Sequence, residues 1–341
     1  MTLRAAVRGL VRWETLLLVV ILGLVALGTT LSPVFLTARN VPNLVVAVIE
    51  VAIMALPMTL IIIAGEIDLS VESMAGLACA LLGFLWAGGM PLEAAIPIVL
   101  VVGGLGGLLN GVLVTVFGLP SLVVTLGTLA LYRGLALAIL GPRGISGFPD
   151  WFTTFGFQTI PGTPIPWPAT VYVGLAIVLG VVLHYTWMGR QAYAIGKNAS
   201  AARFSGVRVA RVKLLLFVLS GFVASIAGVI LTARFASARA DIGTGMTLTV
   251  VTIVLLGGVN IFGGRGTMVG VVLAAITLAL LGNVLRLTNV SAEIQSIAIG
   301  TLLIVSVVLP NIAHRLRTGL TRPGSGGRSP VASAGAGEMQ A

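Results

Sequence analysis

The chain has 341 residues, of which 57% are hydrophobic and only 9% are charged, and its mean hydropathy is +1.11. These values exclude an ordinary soluble domain, and the 44 glycines are typical of membrane helices, whose backbones approach closely at small residues. The formal charge of +10 does not indicate nucleic acid, because the basic residues lie at the ends of apolar runs, where orientation in the bilayer explains them. The sequence therefore predicts an all-α, polytopic membrane helical bundle without a nucleic-acid partner.

The first apolar run follows a basic start that contains Arg4, Arg8 and Arg12. We interpret it as an uncleaved first span rather than a signal peptide, because no small-residue cleavage site follows and the next segments are also apolar. A span needs about 20 mostly apolar residues to cross about 30 Å of hydrocarbon, and on that criterion we predict about ten. The third and eighth are short enough to be broken or re-entrant. The predicted spans are 15–35, 41–65, 73–89, 93–117, 121–140, 168–187, 212–232, 246–262, 266–286 and 292–310.

The distribution of the 20 Lys and Arg residues predicts the orientation of these spans. If the N-terminus is cytoplasmic, fourteen of them face the cytoplasm, five face outside and Arg133 lies within a span. Cytoplasmic loops carry an excess of Lys and Arg, so both termini are predicted to be cytoplasmic. The fourteen are Arg4, Arg8, Arg12, Arg190, Lys197, Arg203, Arg208, Arg211, Lys213, Arg265, Arg315, Arg317, Arg322 and Arg328, and the five are Arg39, Arg143, Arg234, Arg239 and Arg286.

We divide the chain into a cytoplasmic N-terminus (1–14), a transmembrane domain (15–312) and a cytoplasmic tail (313–341) whose Gly, Ser, Ala and Pro content predicts disorder. The longest external loop, 141–167, is shaped by prolines and aromatic residues rather than by helix periodicity.

A weak internal similarity links LLNGVLVT at 108–115 to LLGNVLRL at 280–287, and each is followed by an apolar helix that contains Gly-Thr. This similarity is compatible with a 5+5 inverted repeat, an arrangement common among transporters. The alternative is a chance likeness between two helices rich in Leu, Val and Gly.

Two glycine-rich motifs are interpreted as packing and turn elements. Gly103, Gly107 and Gly111 have GxxxG spacing, which predicts close packing inside the subunit or, alternatively, a subunit interface. The run GGVNIFGGRGT at 257–267 resembles a phosphate loop, but no Gly-Lys-Ser/Thr follows it, so we interpret it as a tight inward turn. The sequence shows no nucleotide site, so ATP-driven transport would require an ATPase on a separate chain.

Ionisable and polar residues near the spans give further candidates. In GEIDLSVES, at 65–73, Asp68 and Ser70 are predicted to cap the following helix rather than to act in catalysis. The clearest intramembrane charges are Glu50 and Arg133, which are costly in hydrocarbon. They are predicted either to pair with each other or to reach water at an interface.

The fifth span carries a candidate translocation path. Ser121, Thr125, Thr128 and Tyr132 recur at spacings of four, three and four, and therefore share one helix face. The alternative is that their hydroxyls bond back to the backbone of their own helix.

The central loop, Gly189–Lys213, carries six basic residues and no acid. Asn198 is predicted to cap a short helix in it, and Gly206 to end that helix in a left-handed conformation. The residues that this helix would present to a partner are Ala201, Ala202 and Phe204. The loop is predicted to dock a separate cytoplasmic ATPase or, alternatively, to bind anionic lipid headgroups.

Four segments in order, from about residue 41 to 312, resemble the signature segments of permease subunits of bacterial carbohydrate ABC importers. They are ALPMTLIIIAGEIDLSVES, NGVLVTVFGLPSLVVTLGTLALYRGLA, AYAIGKNASAARFSGV and VLLGGVNIFGGRGTMVG. The similar branch serves ribose, xylose, arabinose, galactose, rhamnose and the sugar-like autoinducer-2. The chain departs from the usual pattern at Glu66 and Lys197, where that family typically has glycine.

This resemblance implies a subunit that translocates a monosaccharide or sugar-like molecule into the cytoplasm across the bacterial inner membrane. It also implies three protein partners: a cytoplasmic ABC ATPase, an extracytoplasmic sugar-binding protein and a second permease subunit in a homodimer or heterodimer. The family segment similar to AYAIGKNASAARFSGV is expected to contact the ATPase. The matching positions here are Gly196, Asn198, Ala201, Ala202, Arg203, Ser205 and Gly206.

Other functional classes fit the sequence less well. An ion-coupled secondary carrier is the main alternative, and a channel lacks support because no filter-like repeat is present. A membrane enzyme would need a constellation of His, Asp and Glu residues that the sequence does not contain. With His184 and His314 as the two histidines and Cys79 as the single cysteine, we predict no metal site, no cofactor and no internal disulfide.

Overall fold

A computed structural model describes residues 13–319, and in this part of the chain the regular structure is α-helical. Residues 1–12 and 320–341, which include most of the predicted tail (313–341), lie outside the described residues. The helices are α1 (Trp13–Leu31), α2 (Asn40–Val46), α3 (Ile49–Ile63), α4 (Val71–Ala87), α5 (Leu92–Thr115), α6 (Ser121–Leu140), α7 (Asp150–Phe157), α8 (Trp167–Tyr185), α9 (Trp187–Lys197), α10 (Ala199–Phe204), α11 (Val209–Phe235), α12 (Met246–Leu256), α13 (Met268–Leu287) and α14 (Ala292–Gly319).

The helices confirm the predicted polytopic bundle. Among the described residues, α1, α5, α6, α8, α11 and α13 are long and apolar enough to cross a membrane, and the bent pair α2–α3 is a seventh candidate. Helices α4 and α12, and the apolar first part of α14, are shorter. Every predicted span coincides with one of these helices or with the bent pair, whereas the number that crosses the bilayer and the 5+5 repeat remain predictions.

Two predicted spans differ from the observed helices in their interiors. The second span is broken between α2 and α3, which meet at 41°. Neither proline nor glycine occurs in the sequence VVAVIE at 45–50, so the sequence gives no local signal for this break. The eighth predicted span, 246–262, ends early, because α12 stops at Leu256 and Gly258 adopts a left-handed φ of 82°.

The loop 141–167 contains a helix that the sequence analysis missed. Pro149, in extended conformation, precedes the eight residues of α7. The ring of Phe148 packs against Trp86 at a centroid distance of 5.8 Å and against Phe152 at 5.5 Å. Aromatic packing therefore holds this loop against the end of α4, and α7 forms in that context.

Helix α11 runs through the middle of the bundle, where it packs against α5 and α4. The predicted glycine series lies on this contact: a Cβ atom at Gly103 or Gly107 would overlap the backbone of α11 at Gly221 or Phe217. The GxxxG motif therefore packs helices inside the subunit, as predicted.

By internal contacts, the chain divides after Val307 into a large unit and a small one that begins at Val308. All features described below belong to the large unit.

Candidate functional site

The central loop contains two helices, of which the sequence analysis predicted only the second. Helix α9 buries Gly189, Ala192 and Ile195, which are three residues apart and face the bundle, while Arg190 and Lys197 are exposed. The spacing of three between these buried residues is the sequence signal that could have predicted α9. It was hard to recognise because two of the three residues are small and weakly hydrophobic.

Helix α10 has the predicted caps at both ends, and we call it the coupling helix after its predicted role in ATPase docking. The Asn198 side chain accepts a hydrogen bond from the Ala201 backbone N–H at 2.9 Å. At the other end Gly206 has a φ of 84°, its N–H bonds the carbonyl of Arg203, and the N–H of Val207 bonds the carbonyl of Ala202, each at 3.0 Å. This pair of bonds is a Schellman motif, so both predicted caps are confirmed.

The coupling helix presents fewer of the predicted residues than expected. Phe204 is 93% exposed, and Ala201 and Arg203 are also exposed. Ala202, however, is only 5% exposed and packs into the bundle. The expectation that Ala202 faces a partner is therefore wrong, because the six-residue helix lies with this side against the rest of the chain.

A junction of glycines ties the central loop to two neighbouring turns. Gly65, Gly196, Gly263 and Gly264 meet here, and we call them the glycine junction. A Cβ atom at Gly196 would overlap the carbonyl oxygen of Ile63 and the backbone nitrogen of Gly264. The N–H of Gly264 also donates to the carbonyl of Ile63 at 2.8 Å. The end of α3, the end of α9 and the turn 257–267 are therefore joined by direct backbone contact.

Glu66 and Lys197, the two positions at which the chain departs from the pattern of the family that it resembles, lie around the glycine junction. The Glu66 carboxylate forms an ion pair with Lys213, the fifth residue of α11, and both side chains are largely buried. The side chain of Lys197 lies against Gly264, at 2.8 Å from the position of an added Cβ atom. Glu66 therefore links the α3–α4 connection to the start of α11.

A non-helical segment, 236–245, runs beside α4, from the level of Gly83 to that of Glu72. Its residues lie in order along α4, antiparallel to that helix: Ala238 lies against Gly83, Ile242 against Gly76, and Gly243 against the carbonyl of Glu72. Helix α12 then starts at this depth and is only about 16 Å long, roughly half of the hydrocarbon thickness. Irregular backbone at membrane depth requires partners from the protein.

Arg133 and Glu72 supply those partners. Arg133, in the middle of α6, donates through Nη1 to the carbonyls of Ala240 at 2.7 Å and Ile242 at 3.2 Å. Glu72 Oε2 accepts from the Thr247 backbone N–H, and its Oε1 lies 4.0 Å from Arg133 Nη2.

The α2–α3 break has a similar pair of charges. Arg234 of α11 donates to the carbonyl of Val46, the last residue of α2, and its Nε lies 3.1 Å from Glu50 Oε1. Glu50 is 1% exposed. The suggested Glu50–Arg133 pair is therefore wrong: each residue pairs elsewhere, beside interrupted backbone. Arg234, counted by the charge rule as an external residue, is largely buried.

Asp68 is the centre of a buried polar network that the sequence analysis recognised only in part. Its Oδ1 accepts from the Ser70 backbone N–H at 3.0 Å and from the Ser70 hydroxyl at 2.6 Å. The bonded N–H belongs to the N-cap residue itself, so Asp68 forms a turn before α4 rather than capping its first turn. Asp68 Oδ2 accepts from Ser220, and Asn110 donates to Ser70 at 2.9 Å. The network thus joins α4, α5 and α11.

The four predicted path residues of α6 lie on one buried face of the helix, and they are Ser121, Thr125, Thr128 and Tyr132. Thr125 and Thr128 donate to the carbonyls of Ser121 and Val124, at 2.8 and 3.1 Å. Tyr132 donates to the carbonyl of Gly106 at 2.8 Å. Thr125 and Thr128 therefore agree with the alternative prediction that the hydroxyls bond back to the backbone of their own helix. Tyr132 and Ser121 do not, because Tyr132 bonds α5 and the Ser121 hydroxyl accepts from the Ile67 backbone N–H at 3.3 Å.

The opposite end of the bundle carries a cleft of about 230 Å³. Arg239 donates to both carboxylate oxygens of Asp241, at 3.0 and 2.7 Å, on its rim. A reciprocal backbone bridge between Ile145 and Ala238 fixes the adjacent loop.

Broken helices lined by paired charges, within a bundle of apolar helices, define a multi-pass membrane protein of the transport class. Residues 40–307 match the family described as the permease component of the branched-chain amino acid transport system. The chain belongs to this family, and it is a permease subunit.

Similar proteins in bacteria support this assignment. The autoinducer 2 import system permease protein LsrD of Yersinia enterocolitica is 39% identical over 272 residues, covering 78% of this chain and 82% of that protein. The protein of the same name from Photorhabdus luminescens is 36% identical over 281 residues, covering 80% and 84% of the two chains. No solved structure matches the chain significantly.

Proposed function

We propose that this chain is the membrane permease of an ABC importer that carries a monosaccharide or sugar-like molecule into the cytoplasm. The observation that supports this proposal best is the similarity to autoinducer 2 import permeases, which extends over about four fifths of both chains. The family description names branched-chain amino acids instead. We favour a sugar-like solute because the individual relatives, which are similar over most of their length, are the more specific comparison.

The proposed complex has a cytoplasmic ABC ATPase, an extracytoplasmic solute-binding protein and a second permease subunit. This chain would hydrolyse no ATP itself and would sit in the bacterial inner membrane with both termini cytoplasmic. The coupling helix supports ATPase docking because its caps define its ends and its exposed face carries Phe204 and Arg203. Nucleotide-dependent docking would then favour different conformations of the permease.

The proposed translocation path involves the helix interruptions beside α6. Transporters commonly place solutes near the bilayer midplane where helices are discontinuous. Here α12 begins in the interior, next to Arg133 and Glu72, and the buried face of α6 is adjacent. Thr125 and Thr128 remain the candidate path residues, and they would have to exchange their backbone hydrogen bonds for bonds to solute hydroxyls.

Uptake by the reconstituted complex tests this function. Proteoliposomes that contain the permease and its ATPase, supplied with the solute-binding protein, are expected to accumulate radiolabelled autoinducer-2 or a pentose in an ATP-dependent manner. Uptake of radiolabelled leucine, a branched-chain amino acid, is measured in parallel because the family description names that class of solute. Accumulation of leucine alone, or uptake that follows an ion gradient and needs no ATP, would refute the proposal.

Docking is tested by Ala201→Trp, which adds bulk on the exposed face and leaves the charge unchanged. We expect loss of ATPase co-purification and of uptake at a normal membrane level of the permease. Ala202 is unsuitable for this purpose, since it is buried and a larger residue there would disturb folding. Ser200→Trp, at a neighbouring exposed position, measures how much bulk the loop tolerates.

A further inference from the structure

A second exposed phenylalanine lies close to the coupling helix. Phe262, in the turn 257–267, is 78% exposed, and only a few large apolar side chains in the described part of the chain reach this value. Many other exposed apolar residues lie on membrane-length helices, where lipid covers them. Phe262 lies instead in an irregular turn and is followed, three residues later, by the exposed Arg265.

The turn holds Phe262 in a defined position. Its backbone N–H donates to the Asn260 side chain at 2.9 Å, and the Asn260 N–H donates to the carbonyl of Arg265 at 3.0 Å. Tyr193 of α9 donates to the carbonyl of Gly266 at 2.6 Å. These bonds make the turn a closed loop that is fastened to α9.

The glycine junction places this turn beside the coupling helix. Gly263 directly follows Phe262, and a Cβ atom on it would lie 3.1 Å from the Cα of Gly196. From Lys197 through the extended Asn198 to Ala199 the chain advances by at most about 7 Å, and from there to Phe204 by about 8 Å at helical rise. The two phenylalanines therefore fall within the roughly 800 Å² that one partner covers in a standard protein interface.

The charges around the two rings have one sign. Lys197, Arg203, Arg208 and Arg265 are all exposed. Two acids lie nearby, and both are engaged: Glu66 is paired with Lys213 inside the bundle, and Glu14 accepts a hydrogen bond from the Thr267 hydroxyl at 2.9 Å. A partner for this surface would therefore offer apolar recesses with an acidic rim. Lipid headgroups would match the charge but give no reason for two rings to be fixed by hydrogen-bonded turns.

We propose that Phe204 and Phe262 together form a two-point apolar anchor for the cytoplasmic ATPase, with the turn 257–267 as a second docking element. This inference rests on the proposed function. It adds that the ATPase contacts the connection between α12 and α13 as well as the central loop. Since Thr267 caps α13, a displacement of the ATPase would reach that helix directly.

Three single alanine variants test the anchor: Phe204→Ala, Phe262→Ala and, as a control, Phe117→Ala. Phe117 is 67% exposed in the α5–α6 turn and belongs to neither of the two docking elements. Binding of the purified ABC ATPase that is proposed as the partner is measured by titration against the permease in nanodiscs. We expect at least a fivefold loss of affinity for the first two variants, because central aromatic residues dominate interface energies, and none for Phe117→Ala.

The outcomes separate the anchor from the function on which it rests. Normal binding by Phe262→Ala, together with weakened binding by Phe204→Ala, would overturn the second docking element and leave the central loop as the docking site. If the wild-type permease binds no ATPase, the proposed function fails.

A probe distinguishes protein from lipid as the occupant. Phe262→Cys in a Cys79→Ala background is labelled with a polarity-sensitive fluorophore in proteoliposomes, which is possible because Cys79 is the chain's single cysteine. The ATPase is added in large excess, because the loss of the Phe262 ring is itself expected to weaken binding. A spectral shift on addition of the ATPase supports the anchor. Quenching by spin-labelled lipid, with no response to the ATPase, would show that the ring lies in the bilayer and overturn it.

Discussion

Glu72 of α4 caps α12 from a distance of 175 residues in sequence: its Oε2 accepts a hydrogen bond from the Thr247 backbone N–H at 2.8 Å. Thr247 is the second residue of α12, whose N-cap is Gly245 with a φ of 84°. The first N–H groups of a helix lack partners in the helix itself, and an anionic acceptor there also opposes the helix dipole. A side chain from another helix therefore stabilises the start of α12 in the interior.

This cap predicts a graded effect of substitutions at Glu72. Glu72→Gln keeps an acceptor for the Thr247 N–H and is expected to cost less than about 1 kcal/mol. Glu72→Ala leaves the N–H and the neighbouring Arg133 without this partner and is expected to cost about 1–3 kcal/mol. Thermal unfolding of the purified variants in detergent gives the order. Equal losses for both variants would show that the hydrogen bond is not what matters at this position.

The contact between α5 and α11 predicts a strong position dependence of glycine substitution. Gly107→Leu is expected to abolish folding, since even a Cβ atom would overlap the Phe217 carbonyl. Gly127→Leu on α6 is the matched control, because a Cβ atom there meets no neighbouring atom within 4 Å. Size-exclusion chromatography of fluorescently tagged protein from membranes compares the two. A monodisperse Gly107→Leu protein at wild-type level would contradict the close packing.

A reciprocal amide pair predicts non-additive losses. Asn40 and Asn283 are buried, and each donates to the other's side-chain oxygen, at 2.8 and 3.1 Å. Asn40→Leu or Asn283→Leu alone leaves the other buried amide without its side-chain partner. Each single substitution is expected to lower the free energy of unfolding by about 1–3 kcal/mol. The double variant is expected to cost less than the sum, with a coupling energy of about 0.6–1.7 kcal/mol. A double-mutant cycle of unfolding free energies measures this coupling, and strict additivity would argue against the pair.

The Glu66–Lys213 ion pair predicts rescue by charge exchange. Glu66→Lys places two cations together in a largely buried position and is expected to lower the melting temperature clearly. Glu66→Lys combined with Lys213→Glu restores opposite charges and is expected to recover most of the loss. Arg190→Glu, at an exposed position of the same loop, controls for the change in net charge. The ion pair would lose its support if the double variant were less stable than the single one.

The predicted orientation is tested by labelling single cysteines from one side. Ser146→Cys and Ser200→Cys, each in a Cys79→Ala background, lie at exposed positions of the loop 141–167 and of the coupling helix. A membrane-impermeant maleimide added to intact cells is expected to react at 146 only. We choose Ser146 rather than Gly147 because the φ of Gly147 is 81°, which a cysteine would not adopt readily. Labelling of both positions from outside would refute the orientation.

Helix positions were predictable because they depend on the hydrophobicity of continuous runs. The prediction for 121–140 matches α6, and most other spans differ by only a few residues. The coupling helix was predictable for a different reason: Asn198 and Gly206 act on the backbone within a few residues, so local sequence determines both caps.

The partners of buried charges were not predictable, since they depend on which helices meet. Nothing near Arg133 in the sequence indicates that it bonds the carbonyls of Ala240 and Ile242, more than a hundred residues away. The α2–α3 break likewise exists where Arg234 and Glu50 can satisfy it. Ala202 was misplaced for the same reason, because a six-residue helix shows too few turns to reveal its buried side.

The glycine junction has a mechanical consequence. Side chains can absorb small displacements by changing rotamer, but at Gly196 backbone lies directly on backbone, so no such cushion exists. A displacement of the coupling helix is therefore expected to move the end of α3 and the start of α13 with it. We therefore expect this region to move as one rigid body, so that in the proposed transport cycle the hinges would lie outside it.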